Sequence, residues 1–212
     1  NDLQKPSGLL SLLLFAGYLN PVRKLIVAKN PVYELAIPNH EVQYIYELRI
    51  TEWVALQLDI DSDRYFNFVQ LLAKGQIKDF QEALQQYLLN STSFYQTGRK
   101  TAELFYNGFM LCLINTLKTY YLIYSEQEGI AGRADVMLIP KIHHGTQALV
   151  IEYKVTQDHD KLTEIARKGL QQIMKKGYTQ PAKKHDHVTN VRAICIAFAE
   201  KNVAIAHDNL LL

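Results

Sequence analysis

The stretch from Glu128 to Val155, EGIAGRADVMLIPKIHHGTQALVIEYKV, constrains the fold more than any other part of the chain. It predicts two strands joined by a hairpin. Asp135 opens the first strand, residues 135–139, and Pro140 ends it. His143, His144, Gly145, Thr146 and Gln147 form a polar turn. The second strand, residues 148–155, is apolar and β-branched until it reaches Glu152 and Lys154. Side chains alternate between the faces of a strand, so Glu152 and Lys154 share one face. An antiparallel partner can bring Asp135 to that same face. Two carboxylates and an ammonium on otherwise apolar strands are costly to desolvate unless they bind something.

Such a trio suits metal-assisted hydrolysis of a phosphodiester. Two carboxylates hold a hard divalent cation, Mg²⁺ or Mn²⁺, which keeps waters and accepts a phosphate oxygen. The cation lowers the pKa of a bound water and stabilises charge on the phosphate. A lysine adds a compact charge that orients the water and steadies the transition state.

Asp135, a hairpin and then Glu152-Tyr153-Lys154 resemble the Asp…(Asp/Glu)-x-Lys core of the PD-(D/E)XK nuclease superfamily. Other segments resemble a bacterial branch found after AAA-ATPase-like regions. Ser7-Gly8-Leu9-Leu10 and Ala16-Gly17-Tyr18-Leu19 are similar to its first helix, and residues 37–42, IPNHEV, to its next strand and helix start. Residues 103–106, ELFY, resemble an E-x-FYH motif with Asn107 in place of the His. Ser125, Glu128, Gly132, Arg133 and Asp135 follow S-x-x-E-x-G-x-GR-x-D, with Gly129 one place before the pattern's first Gly, where Ile130 stands. Leu170, Gln172, Ile173, Lys176 and Tyr178 follow AL-x-QI-x-x-K-x-Y, with Gly169 in place of the Ala. The resemblance implies that Asp135 and Glu152 bind metal, that Glu103 is an added ligand, and that Gln172 assists Lys154. Read from residues alone, Glu103 is equally a helix N-terminal carboxylate, and Gln172 a surface residue of its helix.

Charge is uneven along the chain. Residues 1–95 hold 8 Lys/Arg against 10 Asp/Glu, whereas residues 96–212 hold 15 against 11. Lys161, Arg167, Lys168, Lys175, Lys176, Lys183 and Lys184 form a basic stripe suited to a phosphate backbone, or else an ordinary solvated helix face. With Arg133 and Tyr178, Lys168, Lys175 and Lys176 are the candidate nucleic-acid contacts; Tyr178 either stacks in the cleft or packs on the sheet. His185-Asp186-His187 sits on a loop with no further ligand and is set aside as a metal site, as are His143 and His144.

Two cysteines, Cys112 and Cys195, both within apolar runs, suggest no disulfide framework and point to a reducing, cytoplasmic setting. The apolar run at residues 9–19 is shorter than the about 20 residues a membrane span needs. The sequence does not begin with Met, and the chain is expected to be a piece of something longer. No Gly-x-x-x-x-Gly-Lys-Ser/Thr sequence occurs, so a P-loop is excluded from it.

Taken in order, residues 6–19 predict a helix, residues 24–28 and 33–37 a small hairpin, and residues 40–58, 63–73 and 76–89 three more helices. Residues 90–98, polar and ending in Gly, are the expected junction. Beyond it come a buried helix over 100–121, a strand at 120–124, the hairpin, a helix over 160–176 and strands at 191–199 and 203–206. The expected fold is α/β (α+β): a helical lobe at 1–95, read as the tail of an AAA-ATPase-like region, then a restriction-endonuclease-like mixed sheet flanked by helices at 96–212. The expected function is a divalent-metal-dependent nuclease, with DNA favoured over RNA. The alternative is a nuclease fold that binds nucleic acid or a protein without cleaving, possible also as part of a larger toxin or effector.

Overall fold

The computed structural model of the protein describes residues 6–27, 30–57, 61–90, 106, 109–111, 113–129 and 132–212. The chain falls into two compact units, residues 1–50 and 51–212. In the first, α1 (Pro6–Phe15) is followed by the antiparallel hairpin of β1 (Asn20–Val27) and β2 (Asn30–Ala36). The start of α2 (His40–Gln57) is capped by Asn39, whose Oδ1 accepts from the Val42 amide at 2.9 Å. Tyr46 of α2 donates its hydroxyl to the Tyr18 carbonyl at 3.3 Å.

The second unit opens with α3 (Ser62–Lys74) and α4 (Ile77–Asn90). Asp61 caps α3, accepting from the Arg64 amide at 2.8 Å. Residues 106, 109–111 and 113–115 are helical, and a 3₁₀ turn, Thr116–Thr119, leads into the sheet. Of the expected junction at 90–98, Asn90 ends α4, and residues 91–98, like Glu103, lie outside the described residues. The five strands are β3 (Tyr121–Gly129), β4 (Gly132–Pro140), β5 (Gln147–Val155), β6 (Asn190–Ala199) and β7 (Asn202–Leu211), adjacent in that order. Only β5 and β6 pair in parallel, because α5 (Leu162–Lys175) carries the chain back across the sheet between them.

Alternation along the strands gives the sheet two apolar faces. Val136, Leu138, Leu149, Ile151, Tyr153, Ile194, Ile196 and Phe198 pack under α3, α4 and the helical residues from Tyr106 to Leu117. Met137, Ile139, Ala148, Val150, Val191 and Ala193 face Ile173 of α5 and Tyr178. The mixed sheet is therefore flanked by helices on both sides, as the sequence predicts. Helix α5 presents Leu162, Ala166, Gly169 and Ile173 to the sheet, four residues at spacings of three and four.

Several boundaries differ from the sequence reading. Helix α1 ends at Phe15 instead of residue 19, and β1 begins at Asn20 instead of residue 24. The helix expected to reach residue 121 tightens into the 3₁₀ turn at Thr116. Strand β3 continues through the polar run 125–129, because Ser125, Gln127, Glu128 and Gly129 pair with Val136, Ala134, Arg133 and Gly132. Asp135 consequently lies inside β4 rather than at its start. Strand β7 runs to Leu211 through register with β6, well past the expected residue 206. Among the described residues no helix is long and apolar enough to cross a membrane.

Candidate active site

Strand β4 pairs with β5 at Met137 and its two neighbours: Val136 faces Ile151, Met137 faces Val150, and Leu138 faces Leu149. The next step toward the β5 C-terminus would set Asp135 against Glu152, and there the ladder stops. Strand β4 stays with β3, and β5 stays with β6 through Val155. The two central strands part, and the Tyr153 amide, which has no β4 carbonyl to bind, donates to Asp135 Oδ2 at 2.7 Å. The strand split thus both opens a notch and fixes the Asp135 carboxylate at its wall.

Glu152 sits at the floor of this notch and is only 4% exposed. Its Oε1 accepts from Lys154 Nζ at 2.6 Å and from Gln172 Nε2 at 2.9 Å. Its Oε2 is buried with no hydrogen-bond partner. The Lys154 side chain is 31% exposed, so its ammonium reaches solvent from the rim. Burial pulls the pKa of that ammonium down, but the hydrogen bond and charge of Glu152, together with Asp135 and Cys195, outweigh it and the net shift is upward. Lys154 is therefore charged at neutral pH.

A buried carboxylate oxygen without a donor is costly, and a cation is the natural remedy. The donor set fits a hard divalent ion: two carboxylates on adjacent strands, one with a buried lone oxygen, beside an ammonium that cannot itself ligate. Among the described residues no group of three His, Cys, Asp or Glu side chains is arranged to hold a metal, and Asp135 and Glu152 are the two carboxylates at the notch. The third ligand that the resemblance implies, Glu103, is outside the described residues.

The other expected site residues divide into two groups. Gln172 of α5 reaches Glu152, so the structure brings Asp135, Glu152, Lys154 and Gln172 together. Tyr178 does not offer a stacking face: it is 2% exposed and its hydroxyl accepts from Gln172 Nε2 at 3.3 Å. The reason is local. Gly177, at φ 64°, ends α5 with its amide on the Met174 carbonyl and the Tyr178 amide on the Ile173 carbonyl. That pattern places the residue after the glycine against the last turn of the helix, and Tyr178 joins Ile173 in the core. Lys175 is exposed at the end of α5, and Lys176 Nζ lies 5.8 Å from the Tyr178 ring centroid. Lys168 is exposed but bonded to Glu164 at 2.5 Å, and Lys161 to Asp158 at 2.6 Å, so part of the basic stripe is internally neutralised. Arg133 lies on β4 opposite Glu128. His187 of the set-aside His-Asp-His segment bonds the Pro140 carbonyl at 2.7 Å.

Two further residues, neither of them a candidate site residue in the sequence reading, shape the notch. Cys195 of β6 is the register partner of Glu152 and is fully buried. Burial, then the nearby carboxylates, push its thiol up to about 12 against the opposing charge of Lys154. Gly169 of α5 lies directly above it: a Cβ there would overlap Cys195 Sγ and come within 3.4 Å of Lys154 Cγ. The absence of a side chain at residue 169 is what lets the helix approach the sheet closely enough for Gln172, one turn on, to reach Glu152.

No curated protein matches the chain. The crystal structure of SSO0001 aligns over 64% of this chain and 79% of its own, at 17% identity and a TM-score of 0.29. A family model described as PD-(D/E)XK nuclease superfamily matches residues 101–208. That span is about half of the chain and takes in every strand and helix around the notch, and by it the chain belongs to the PD-(D/E)XK nuclease superfamily.

Proposed function

We propose that the protein is a divalent-metal-dependent nuclease that hydrolyses phosphodiester bonds, with DNA as substrate. The observation that carries this reading is the Glu152 carboxylate, buried, held through one oxygen by Lys154 and Gln172, and with the other oxygen unpartnered. Asp135 and Glu152 would hold Mg²⁺ or Mn²⁺ through their carboxylates. When bound, such an ion supplies Lewis-acid polarisation of the phosphate and a more acidic water. Lys154 contributes a positive charge at the rim, available to a phosphate oxygen and to charge that develops in the transition state. Gln172 holds Glu152 in the rotamer that keeps its lone oxygen turned into the notch. The exposed Lys175 and the neighbouring Lys176 give the phosphate backbone a charged approach.

The test is incubation with linear, circular and single-stranded DNA and with RNA, in Mg²⁺, Mn²⁺ or EDTA. Cleavage of DNA that EDTA abolishes is expected. Asp135→Ala and Lys154→Ala each reduce the rate by about 10² or more while far-UV circular dichroism is unchanged. Cleavage that survives both substitutions, or no cleavage of any substrate in either metal, overturns the reading.

A further inference from the structure

We propose that Tyr178 is a positioning residue, whose buried hydroxyl holds the Gln172 carboxamide and through it decides which oxygen of Glu152 stays open. Gln172 Nε2 has two hydrogens, and the structure uses both: one on Glu152 Oε1 at 2.9 Å, the other on Tyr178 Oη at 3.3 Å. A carboxylate accepts and never donates, so the amide nitrogen must face it. The hydroxyl then gives the second hydrogen a partner in a region where water is excluded, and the amide cannot rotate without orphaning a donor. Lys154 occupies the same Glu152 oxygen at 2.6 Å. Two side chains, Lys154 of β5 and Gln172 of α5, therefore load one oxygen, with Tyr178 behind the second of them, and the other oxygen is buried without a partner.

The position of Tyr178 is itself set by the backbone. The glycine-ended last turn of α5 drives the ring into the core beside Ile173, six residues along the chain from the glutamine it holds. A base cannot stack on a ring that is 2% exposed, so the hydroxyl, not the aromatic face, is the functional part. The kinetic consequence rests on the nuclease reading above; the hydrogen bond itself does not.

Tyr178→Phe keeps the ring and removes only the hydroxyl. In the metal-free protein, the side-chain amide signal of Gln172, identified by its loss in Gln172→Ala, is expected to shift in the ¹H–¹⁵N spectrum of Tyr178→Phe. In Mn²⁺, kcat on DNA is expected to fall roughly ten-fold, the scale of one lost hydrogen bond, at unchanged KM. The double variant is expected to be no slower than Gln172→Ala alone, because the hydroxyl acts only through that amide. An unmoved Gln172 signal, a rise in KM without a fall in kcat, or additive losses in the double variant each overturn the proposal. If the unsubstituted protein cleaves nothing, the nuclease reading fails by itself, and the amide signal still decides the role of Tyr178.

Discussion

A carboxylate removed from water needs something for each oxygen, and Glu152 has two donors on one oxygen and none on the other. The imbalance makes a measurable statement about folding. An ion that binds only the native state stabilises it by about 2.7 kcal/mol at a concentration 100-fold above its Kd. Mn²⁺ is therefore expected to raise the thermal midpoint of the protein, and to leave Glu152→Gln and Asp135→Asn where they were. Equal shifts in all three would place the ion elsewhere. Gly169 makes a second statement of the same kind. An added methyl meets Cys195 Sγ, so Gly169→Ala is expected to destabilise by about 1–3 kcal/mol through overpacking. Cys195→Ala in that background vacates the space, and the double variant is expected to recover most of the loss by urea denaturation. A double variant as unstable as Gly169→Ala would show that the strain lies in the backbone and not in the thiol.

Helices and strands show the same logic at longer range. Strand β7 is an edge, and an edge exposes unpaired amides to other chains. Helix α4 covers them with two glutamines one turn apart: Gln85 Oε1 accepts from the Val203 amide at 2.9 Å and Gln81 Oε1 from the Ile205 amide at 2.8 Å. Gln85 also donates to the Lys201 carbonyl at 2.6 Å. Gln81→Ala with Gln85→Ala is expected to cost about 2–4 kcal/mol in lost hydrogen bonds and to make the protein self-associate in light scattering. A monodisperse, equally stable double variant would show that water serves the edge as well. Nothing in the Gln81 to Gln85 segment signals this role in sequence, because the strand it serves lies more than 100 residues further on. By contrast, the faces of α5 and the alternation of β4 and β5 are legible locally, since period and turn chemistry lie within a few residues of each other. The polar run 125–129 reads as a loop because its pairing with β4, not its own propensity, makes it a strand. Tyr178 reads in sequence as either cleft or core for a related reason, although the Gly177-Tyr178 order after α5 does carry the cue.

At the scale of the whole molecule, the fold holds protons on several buried and half-buried groups, and this ties stability to alkaline pH. Half of that outcome is readable from the chain: apolar strands at 148–155 and 191–199 imply a core, and the Glu-x-Lys spacing implies a polar notch at its margin. Which neutral groups end up beside the notch is not readable, because Cys195 meets Glu152 and Gly169 only when β6, β5 and α5 are assembled. Once assembled, burial pushes the Cys195 thiol from 9.0 up to about 12, and burial with the Asp135 charge drives Tyr153 well above 10.0. Lys154 likewise holds its proton beyond 10.5, where burial is outweighed by Glu152. In each case the folded chain keeps a proton that the unfolded chain releases, so the unfolded state binds fewer protons as pH rises and stability must fall. The contributions are intact below pH 9 and are lost upward from there, with the thiol first and the phenol and ammonium later. The urea midpoint in EDTA is expected to be level from pH 7 to about 8.5 and to fall steadily from pH 9 to 11. Cys195→Ala removes the earliest part of that fall and delays its onset toward pH 10, because Tyr153 and Lys154 then set it. A variant curve that superimposes on the parent over this whole range would mean that the thiol is free to ionise in the folded protein, and that the seal formed by Gly169 over the β5–β6 floor is open to solvent.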